Sequence, residues 1–259
     1  MKELFDPTAY YIVTASMAVL AVVVFIALQR ITPGYGFTYH RKWGPAINNR
    51  AGWIIMEVPA FAWMAVLWAM SPRGGEVAPC VMAALFEIHY FQRAFIFPAL
   101  MRGKNLMPWV IILLGVVFNV INVYIIAGWL FYVSPETTYP DSWLLSPVFI
   151  LGAVVFVCGW GINIYSDHVI RNLRKPGDTR HYIPRKGLYR YVTAANYFGE
   201  FTEWVGFAIL TWSWAGVVFA MWTFANLAPR AKSLYRRYSS EFGEEFTSLG
   251  RKYIIPFLY

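Results

Sequence analysis

Seven long apolar stretches dominate this sequence of 259 residues. The hydrocarbon core of a bilayer is about 30 Å thick, and a helix needs about 20 apolar residues to cross it. Only 14% of the residues are charged, against roughly a quarter in soluble domains. A six-helix interpretation would merge the last two stretches into 39 residues, which is too long for one span. The pattern predicts an all-α integral membrane protein with seven transmembrane helices, at residues 8–29, 51–70, 77–101, 108–132, 143–165, 191–211 and 212–229.

The basic residues are distributed unevenly between the two ends of these stretches. Of the 22 lysines and arginines, 19 fall in alternate connections and the C-terminal tail, whereas only Lys2 and Arg73 fall on the other side. Cytosolic connections carry the excess of Lys and Arg in membrane proteins. We therefore expect the N-terminus outside the cell or in a lumen, and the C-terminus in the cytosol. The membrane would be that of the endoplasmic reticulum in a eukaryote, or the inner membrane in a bacterium.

Several classes of protein find no support in the sequence. The net charge of +8 does not indicate nucleic-acid binding, because the basic residues interrupt apolar runs instead of covering one exposed face. No GxGxxG, GxxxxGK[ST], HExxH or GxSxG motif occurs, and the two cysteines and four dispersed histidines have no metal-ligand spacing. Internal repeats are also absent. We expect a single domain over residues 1–259, without metal and without an obligate protein partner.

Glu57 is an acidic residue within an apolar stretch. Its neighbours from Trp53 to Pro59 are apolar, and no basic residue lies within one helical turn. Such a carboxyl group is expected to be neutral, and a neutral carboxylic acid can donate a hydrogen bond. Together with a tyrosine hydroxyl it would stabilise negative charge growing on a substrate carbonyl, as in ketosteroid isomerase. From composition alone, this catalytic interpretation and a purely structural one are equally supported.

The third apolar stretch carries four polar residues close together. Glu87 and Tyr90 are three residues apart, and His89 and Arg93 are four apart, so each pair shares a helix face. An ionisable group within a membrane has to be neutralised, paired or in contact with water. Internal pairing is therefore the favoured interpretation of Glu87.

Two polar stripes lie near the cytosolic end. At helical spacing they comprise Asn163, Asp167, Arg171 and Arg174 in one helix, and Asn196, Glu200 and Glu203 in the next. With Arg230 and Tyr238 beyond the last stretch, the stripes would line a pocket for a large polar ligand bearing phosphates, which arginine binds bidentately. The alternative is a solvated face attracted to anionic lipid.

These residues occur in an order that resembles the membrane-embedded steroid 5α-reductases, the 3-oxo-5α-steroid 4-dehydrogenase family, with the type 1 and type 2 enzymes closest in pattern. The resemblance covers nearly everything after residue 33. The matching motifs are Gly34-Tyr-Gly, Ala51-Gly-Trp with Glu57 and Pro59, His89-Tyr-Phe with Arg93, Leu100-Met-Arg-Gly, Gly161-Ile-Asn with Ser166-Asp167, Arg171-Asn-Leu-Arg-Lys-Pro-Gly-Asp, Tyr191-Val-Thr-Ala-Ala-Asn-Tyr-Phe-Gly-Glu, Glu203-Trp, Arg230-Ala and Arg251-Lys-Tyr-Ile-Ile-Pro-Phe-Leu-Tyr.

The resemblance implies a specific reaction and site. It implies a cavity for a steroid or similar lipid mainly within residues 8–132, and an NADPH site mainly within residues 143–259 at the cytosolic side. Hydride would pass from NADPH to C5 of a 3-oxo-Δ4-steroid while Glu57 and Tyr90 polarise the C3 carbonyl. The implied cofactor contacts are Asn163, Asp167, Arg174, Asn196, Glu200, Arg230 and Tyr238, with Tyr35, Trp53, Arg93, Arg102 and Lys104 as further contacts.

Two positions depart from the family pattern, and several alternatives stay open. The family's usual Gln before the catalytic Glu is Met56 here, which removes a polar neighbour of Glu57, and Tyr165 replaces a histidine. The substrate could instead be a polyprenol or an enoyl thioester. The chain could also be an S-adenosylmethionine-dependent membrane methyltransferase of the isoprenylcysteine type. A transporter would show repeats or paired broken helices, and the sequence has neither signal.

Overall fold

The computed structural model describes residues 2–34, 39, 41–103, 105–175, 178 and 180–259, and these are mostly helical. The helices are α1 (Pro7–Leu28), α2 (Asn49–Ala69), α3 (Val77–Phe91), α4 (Phe97–Leu100), α5 (Trp109–Gly128), α6 (Pro147–Arg171), α7 (Ala195–Thr211), α8 (Trp214–Phe242) and α9 (Glu244–Thr247). Short 3-10 turns cover Lys2–Phe5, Arg41–Trp43, Glu136–Thr138, Asp141–Leu145 and Gly187–Arg190.

Five helical segments are long and apolar enough to cross a membrane. They are Pro7–Leu28, Asn49–Ala69, Val77–Leu100, Trp109–Val133 and Pro147–Arg171. Each overlaps one of the first five predicted stretches, although the fifth runs to Arg171 and not to residue 165, so the helical membrane class is confirmed. Helix α7 has 17 residues and α8 has 29, but neither meets the same criteria within the described residues. The count of seven spans and the orientation of the termini therefore stay predictions.

The break between α7 and α8 is sharper than the sequence suggests. Trp212 has a φ of 44°, in the left-handed region, which ends α7. The side chain of Ser213 then accepts a hydrogen bond from the backbone N–H of Gly216 at 3.0 Å, a typical helix N-cap. Helices α7 and α8 are therefore separate, and only Trp212 and Ser213 lie between them.

Two π-helical turns adjoin the membrane helices. Gln92–Ile96 connects α3 to α4, and Trp129–Val133 extends α5. A π turn contains one residue more than an α turn, and such turns are frequent at functional sites. The first of them carries Arg93, which is buried although its side chain is charged.

A small antiparallel sheet is the exception to the predicted all-α class. Strand β1 (Ala46–Asn48) pairs with β2 (Leu106–Pro108), and Ala46 lies opposite Pro108. Three residues per strand lie below the length that a hydropathy pattern detects. The sheet joins the connection that precedes α2 to the one that precedes α5.

Helices α6 and α7 form the closest helix pair. Four glycines, spaced seven residues apart on each helix, line this interface: Gly152, Gly159, Gly199 and Gly206. A Cβ atom on Gly159 would lie 2.2 Å from the backbone nitrogen of Glu203, and one on Gly199 would lie 2.4 Å from that of Asn163. Small residues allow membrane helices to approach this closely. The two polar stripes consequently face each other at short distance.

Candidate active site

A cavity of about 490 Å³ lies between α1, α2, α3, α5, α7 and α8. Its walls are mainly apolar, with side chains such as Leu114, Phe118 and Phe219. Its size and character are those of pockets that bind small molecules. Polar side chains line the wall around Glu57 and around Arg93, and Thr223 and Asn226 add polar groups from α8.

The first polar region contains Glu57 and Tyr90, which the sequence predicted as a pair. Both are buried, at 8% and 3% exposure, and both line the cavity. They meet through Asn119 on α5: the Tyr90 hydroxyl donates to Asn119 Oδ1 at 3.2 Å, and Asn119 Nδ2 donates to Glu57 Oε2 at 3.2 Å. The structure therefore brings the two predicted catalytic groups to one place.

Asn119 is a site residue that the sequence interpretation missed. It lies in the predicted stretch 108–132, where the amides of Asn119 and Asn122 are the polar groups in an otherwise apolar run. An amide carries no charge and so lacks the signal of an ionisable residue, but a buried amide also needs hydrogen-bond partners. Amides within an apolar stretch are the signal that would have identified it.

His89 and Glu203 form a pair of their own. His89 Nδ1 and Glu203 Oε1 are 2.8 Å apart, and Glu203 is fully buried. The predicted pairing of His89 with Arg93 is therefore wrong, because His89 points across to α7. Glu203 was predicted to belong to the polar stripe with Asn196 and Glu200. Its carboxyl group instead contacts His89 on α3, so it does not contribute to that cluster.

Arg93 is the centre of the second polar region. Its guanidinium lies 3.5 Å from Glu200 Oε2 and 3.8 Å from Asp167 Oδ2. The same group lies 4.6 Å from the ring centroid of Trp53 and 4.7 Å from that of Phe97. Arginine is suited to such a position because its planar group can stack on rings while it pairs with carboxylates.

The facing stripes of α6 and α7 are joined by amide hydrogen bonds. Asn163 Nδ2 donates to the carbonyl oxygen of Asn196 at 2.9 Å and lies 3.5 Å from Glu200 Oε2. Asn196 Nδ2 donates to Asp167 Oδ1 at 2.9 Å. The predicted convergence of Asn163, Asp167, Asn196 and Glu200 is thus present, with Arg93 beside them.

Arg174 does not continue the first stripe. Helix α6 ends at Arg171, and the side chain of Asn172 donates to the carbonyl oxygen of His168 at 2.9 Å. Arg174 lies beyond this end and is exposed. The prediction of one continuous face from Asn163 to Arg174 is wrong, because the helix stops before Pro176 is reached.

The remaining predicted cofactor contacts are spread over the same end of the molecule. Arg102 donates to the carbonyl oxygen of Arg171 at 3.4 Å, and Arg230 donates to the Tyr197 hydroxyl at 2.6 Å. Tyr238 stacks on Phe246, with ring centroids 5.3 Å apart. The other two predicted contacts, at Tyr35 and Lys104, lie outside the described residues.

Arg251 is a second residue that the site prediction omitted. It is buried at 6% exposure, and neither Nε nor Nη1 has a hydrogen-bond partner among the described residues. Burial and the nearby Arg185 lower its pKa to about 10. Buried guanidinium nitrogens without partners suit a phosphate group. The signal in the sequence is the motif that begins at Arg251-Lys, which belongs to the family resemblance.

A second cavity of about 530 Å³ contains Glu87. Both carboxyl oxygens of Glu87 and the indole nitrogen of Trp160 are buried without hydrogen-bond partners among the described residues. The predicted pairing of Glu87 with Tyr90 is wrong, because Tyr90 bonds to Asn119 instead. Within the described part of the chain, no three His, Cys, Asp or Glu side chains are grouped to hold a metal.

Comparison with known proteins adds the decisive observation. A family model described as 3-oxo-5-alpha-steroid 4-dehydrogenase matches residues 105–259. The 3-oxo-5-alpha-steroid 4-dehydrogenase 1 of Macaca fascicularis is 39% identical over 251 residues, which cover 95% of this chain and 94% of that protein. The chain belongs to the 3-oxo-5-alpha-steroid 4-dehydrogenase family.

Other relatives of this family extend the match across the whole chain. The 3-oxo-5-alpha-steroid 4-dehydrogenase 1 of Homo sapiens is 43% identical over 222 residues, covering 85% of this chain and 83% of that protein. The steroid 5-alpha-reductase DET2 of Arabidopsis thaliana is 34% identical over 268 residues, covering all of both chains. The predicted family is confirmed, and the chain is an oxidoreductase. Membership in the family argues against the methyltransferase and the transporter.

The two departures from the family pattern lie in different surroundings. Met56 lines the cavity, and its carbonyl oxygen accepts a hydrogen bond from Asn119 Nδ2 at 2.8 Å. An amide therefore lies beside Glu57 although Met56 replaces the usual Gln. Tyr165 is exposed and lies against Gly187, so it takes no part in the cluster around Asp167.

Proposed function

We propose that this protein reduces the Δ4 double bond of 3-oxo-Δ4-steroids to 5α-3-oxosteroids, with NADPH as the hydride donor. The observation that carries the proposal is the hydrogen-bonded group of Glu57, Asn119 and Tyr90 at the wall of an apolar cavity. The printed names of the relatives, steroid 5-alpha-reductase and 3-oxo-5-alpha-steroid 4-dehydrogenase, support the same reaction.

Glu57 and Tyr90 would act on the C3 carbonyl. The hydride that adds to C5 would come from NADPH bound beside Asn163, Asp167, Asn196 and Glu200. Negative charge then grows on the carbonyl oxygen as the enone becomes an enolate, and a proton added at C4 completes the reduction. Hydrogen-bond donors that already point to the position of this charge stabilise the transition state more than the ground state. A neutral Glu57 and the Tyr90 hydroxyl are the two donors proposed for that position.

The polar cluster between α6 and α7 suits a nicotinamide dinucleotide. Asn163, Asp167, Asn196 and Glu200 offer amide and carboxylate groups to a carboxamide and to ribose hydroxyls, and Arg93 lies beside them. Arg251, with two unpartnered buried nitrogens, would hold a phosphate, assisted by Arg230. The cavity reaches Arg93 and Glu200 as well as Glu57, so hydride donor and ketone would share one space.

We further propose seven membrane spans, with α7 and the first part of α8 as the sixth and seventh. The C-terminus would be cytosolic, in the endoplasmic reticulum membrane of a eukaryote or the inner membrane of a bacterium. The excess of basic residues in alternate connections supports this orientation. The cofactor cluster would then open to the cytosol, where NADPH is available.

Single-turnover oxidation of NADPH with a 3-oxo-Δ4-steroid tests the proposal. Glu57→Leu and Tyr90→Phe should each lower the rate of hydride transfer on the order of 10²-fold or more, as removal of an oxyanion-hole donor does, while NADPH affinity changes little. Glu57→Gln, which keeps a donor, should be milder than Glu57→Leu. Glu87→Leu is the matched control, because it removes a carboxyl group from a membrane helix outside this cavity.

Two results would contradict the proposal. One is hydride transfer at the parental rate in a folded Glu57→Leu protein. The other is a parent protein that leaves 3-oxo-Δ4-steroids unchanged but reduces a polyprenol or an enoyl thioester, which would move the substrate to one of those lipids.

A further inference from the structure

Asn119 contacts both proposed donors and one backbone group. Its Nδ2 lies 2.8 Å from the carbonyl oxygen of Met56 and 3.2 Å from Glu57 Oε2, and its Oδ1 lies 3.2 Å from the Tyr90 hydroxyl. The side chain is only 4% exposed. Each of these hydrogen bonds is thus made largely without water, where leaving a partner unsatisfied is costly.

The orientation of this amide follows from its partners. A backbone carbonyl oxygen can only accept a hydrogen bond. The group facing Met56 therefore has to be Nδ2, because a rotated amide would place two acceptors 2.8 Å apart. Oδ1 consequently faces Tyr90, and an amide oxygen can only accept. The Tyr90 hydroxyl is therefore the donor in this contact.

The same orientation determines which oxygen of Glu57 carries the proton. Oε2 accepts a hydrogen bond from Asn119 Nδ2. The carbonyl oxygen of a neutral carboxylic acid is a stronger acceptor than the oxygen that carries the proton, so the donor at Oε2 favours the proton on Oε1. Oε1 has no hydrogen-bond partner among the described residues, and Glu57 lines the cavity. The acid can therefore donate from Oε1 to a ligand there.

We propose that Asn119 is the positioning residue that assigns these two protons. It keeps the Glu57 proton on the oxygen that is free to meet a ketone, and it holds the Tyr90 hydroxyl until a stronger acceptor arrives. An oxygen that gains negative charge is a stronger acceptor than an amide, so Tyr90 would turn to the substrate as the enolate forms. This inference rests on the proposed function.

Infrared spectroscopy of the Glu57 carboxyl group tests the assignment without any turnover. The band of the neutral acid is identified as the C=O stretch that disappears in Glu57→Gln. It should shift in Asn119→Leu, because Oε2 then loses its donor. It should stay in place in Thr14→Val, the matched control, because the Thr14 hydroxyl is buried in α1, where it donates to Tyr10 O at 2.9 Å.

Kinetics on the same proteins test the consequence. Asn119→Leu should lower kcat about tenfold, the effect of one lost hydrogen bond, with the KM for NADPH unchanged. Asn119→Ser, whose short hydroxyl cannot reach all three partners, should shift the infrared band and the rate in the same direction. It serves as the variant to measure should Asn119→Leu not fold.

Three outcomes would overturn the assignment. One is the absence of a neutral Glu57 band in the parent, another is an unshifted band in the Asn119 variants, and the third is unchanged kcat in those variants beside an active parent. A parent without steroid reduction but with the expected band shifts would contradict the proposed function alone, because the infrared result does not depend on the reaction.

Discussion

Glu57 and Glu87 are carboxylic acids in neighbouring membrane helices, but their surroundings differ. Glu57 has an amide donor at 3.2 Å and lines the cavity that also contains Tyr90. Glu87 lines another cavity, and both of its oxygens lack hydrogen-bond partners within the described residues. Because an unsatisfied buried polar group destabilises the folded state by about 1–3 kcal/mol, the two residues should respond in opposite ways to an apolar replacement.

Replacement of Glu87 by leucine is expected to stabilise the protein. It removes a desolvated carboxyl group without breaking any hydrogen bond between described residues, so the melting temperature should rise by several degrees while steroid reduction stays unchanged. Thermal unfolding in one detergent, measured for the parent, Glu87→Leu and Glu87→Gln, checks this. Glu87→Gln should give a smaller gain, because an amide in that position is also unsatisfied. A melting temperature lowered by Glu87→Leu would contradict the reasoning.

Arg251 and Arg230 are expected to contribute to NADPH affinity. Both are buried and are proposed to hold a phosphate of the cofactor, and a hydrogen bond to a charged group contributes about 1.5–3 kcal/mol. Arg251→Ala and Arg230→Ala should each weaken NADPH binding by roughly tenfold or more and lessen its dependence on salt. Titration of NADPH at two salt concentrations measures this, with the exposed Arg236→Ala as the control. Equal catalytic efficiency of the parent with NADPH and NADH would count against a phosphate-binding role.

Part of the candidate site could be predicted from residue spacing, and part could not. Helical periodicity placed Asn163 with Asp167 and Asn196 with Glu200, and the structure brings them together. Periodicity does not tell which neighbouring helix a face will meet. Spacing alone therefore places Glu203 in the polar stripe, whereas its partner in the structure is His89 on α3.

At the scale of elements, the packing of α6 on α7 determines where the polar cluster forms. The glycines at 152, 159, 199 and 206 leave no room for a Cβ atom. A larger side chain at any of them would push the helices apart and lengthen the hydrogen bonds between Asn163, Asn196 and Asp167. We therefore expect changes at this interface to alter stability and NADPH affinity together.

Gly159→Ala and Gly199→Ala are expected to destabilise the protein and weaken NADPH binding together. The added methyl groups would lie 2.2 Å and 2.4 Å from backbone atoms of the facing helix, and overpacking costs about 1–3 kcal/mol. Gly161→Ala is the matched control on α6, because nothing lies within 4 Å of a Cβ atom there. Melting temperature and NADPH affinity are the measurements. A Gly199→Ala protein with the parental melting temperature and NADPH affinity would contradict this expectation, because the helices would then have moved apart without loss of stability or binding.

The five most apolar helices agree with the predicted stretches, because burial in lipid requires an unbroken apolar run. Other elements depend on features that hydropathy does not reveal. Helix α8 continues to Phe242, beyond the apolar stretch that was predicted to end at residue 229. Hydropathy does not reveal this extension, because the last turns of the helix are polar. The two π turns and the strands β1 and β2 arise from tertiary contacts and have no periodic signal.

At the scale of the whole molecule, the basic connections meet at one end. Thr32 hydrogen-bonds to Ser233, Arg102 donates to Arg171 O, and Thr193 N donates to Lys252 O. The sheet joins the connections before α2 and α5. At the other end, the indole of Trp143 donates to Leu210 O, and the Tyr139 hydroxyl donates to Thr211 O. The basic connections that the structure describes thus meet at the end where the proposed cofactor residues lie, and the positive-inside rule predicts that this end is the cytosolic face.

Labelling of single cysteines in sealed vesicles of known orientation tests this arrangement. The two native cysteines, Cys80 and Cys158, are free and are first replaced by alanine. Ser240→Cys then places an exposed thiol at the basic end, and Leu145→Cys places one at the opposite end, where Leu145 is 80% exposed. In vesicles whose outer surface is the cytosolic face, an impermeant reagent should label Ser240→Cys and spare Leu145→Cys until detergent is added.

Labelling at both Leu145→Cys and Ser240→Cys distinguishes the possible orientations. Labelling of Leu145→Cys alone would mean that the orientation is inverted. Labelling of both would mean that an even number of spans separates them, which would exclude the predicted crossings between residues 146 and 240. The expected pattern requires an odd number of crossings in that segment, so α6 alone or α6, α7 and α8 together would give it. Trp212→Cys distinguishes the two, because Trp212 lies between α7 and α8 and is 70% exposed. Protection of this thiol until detergent is added would support α7 and α8 as membrane spans, although neither is as apolar as the first five.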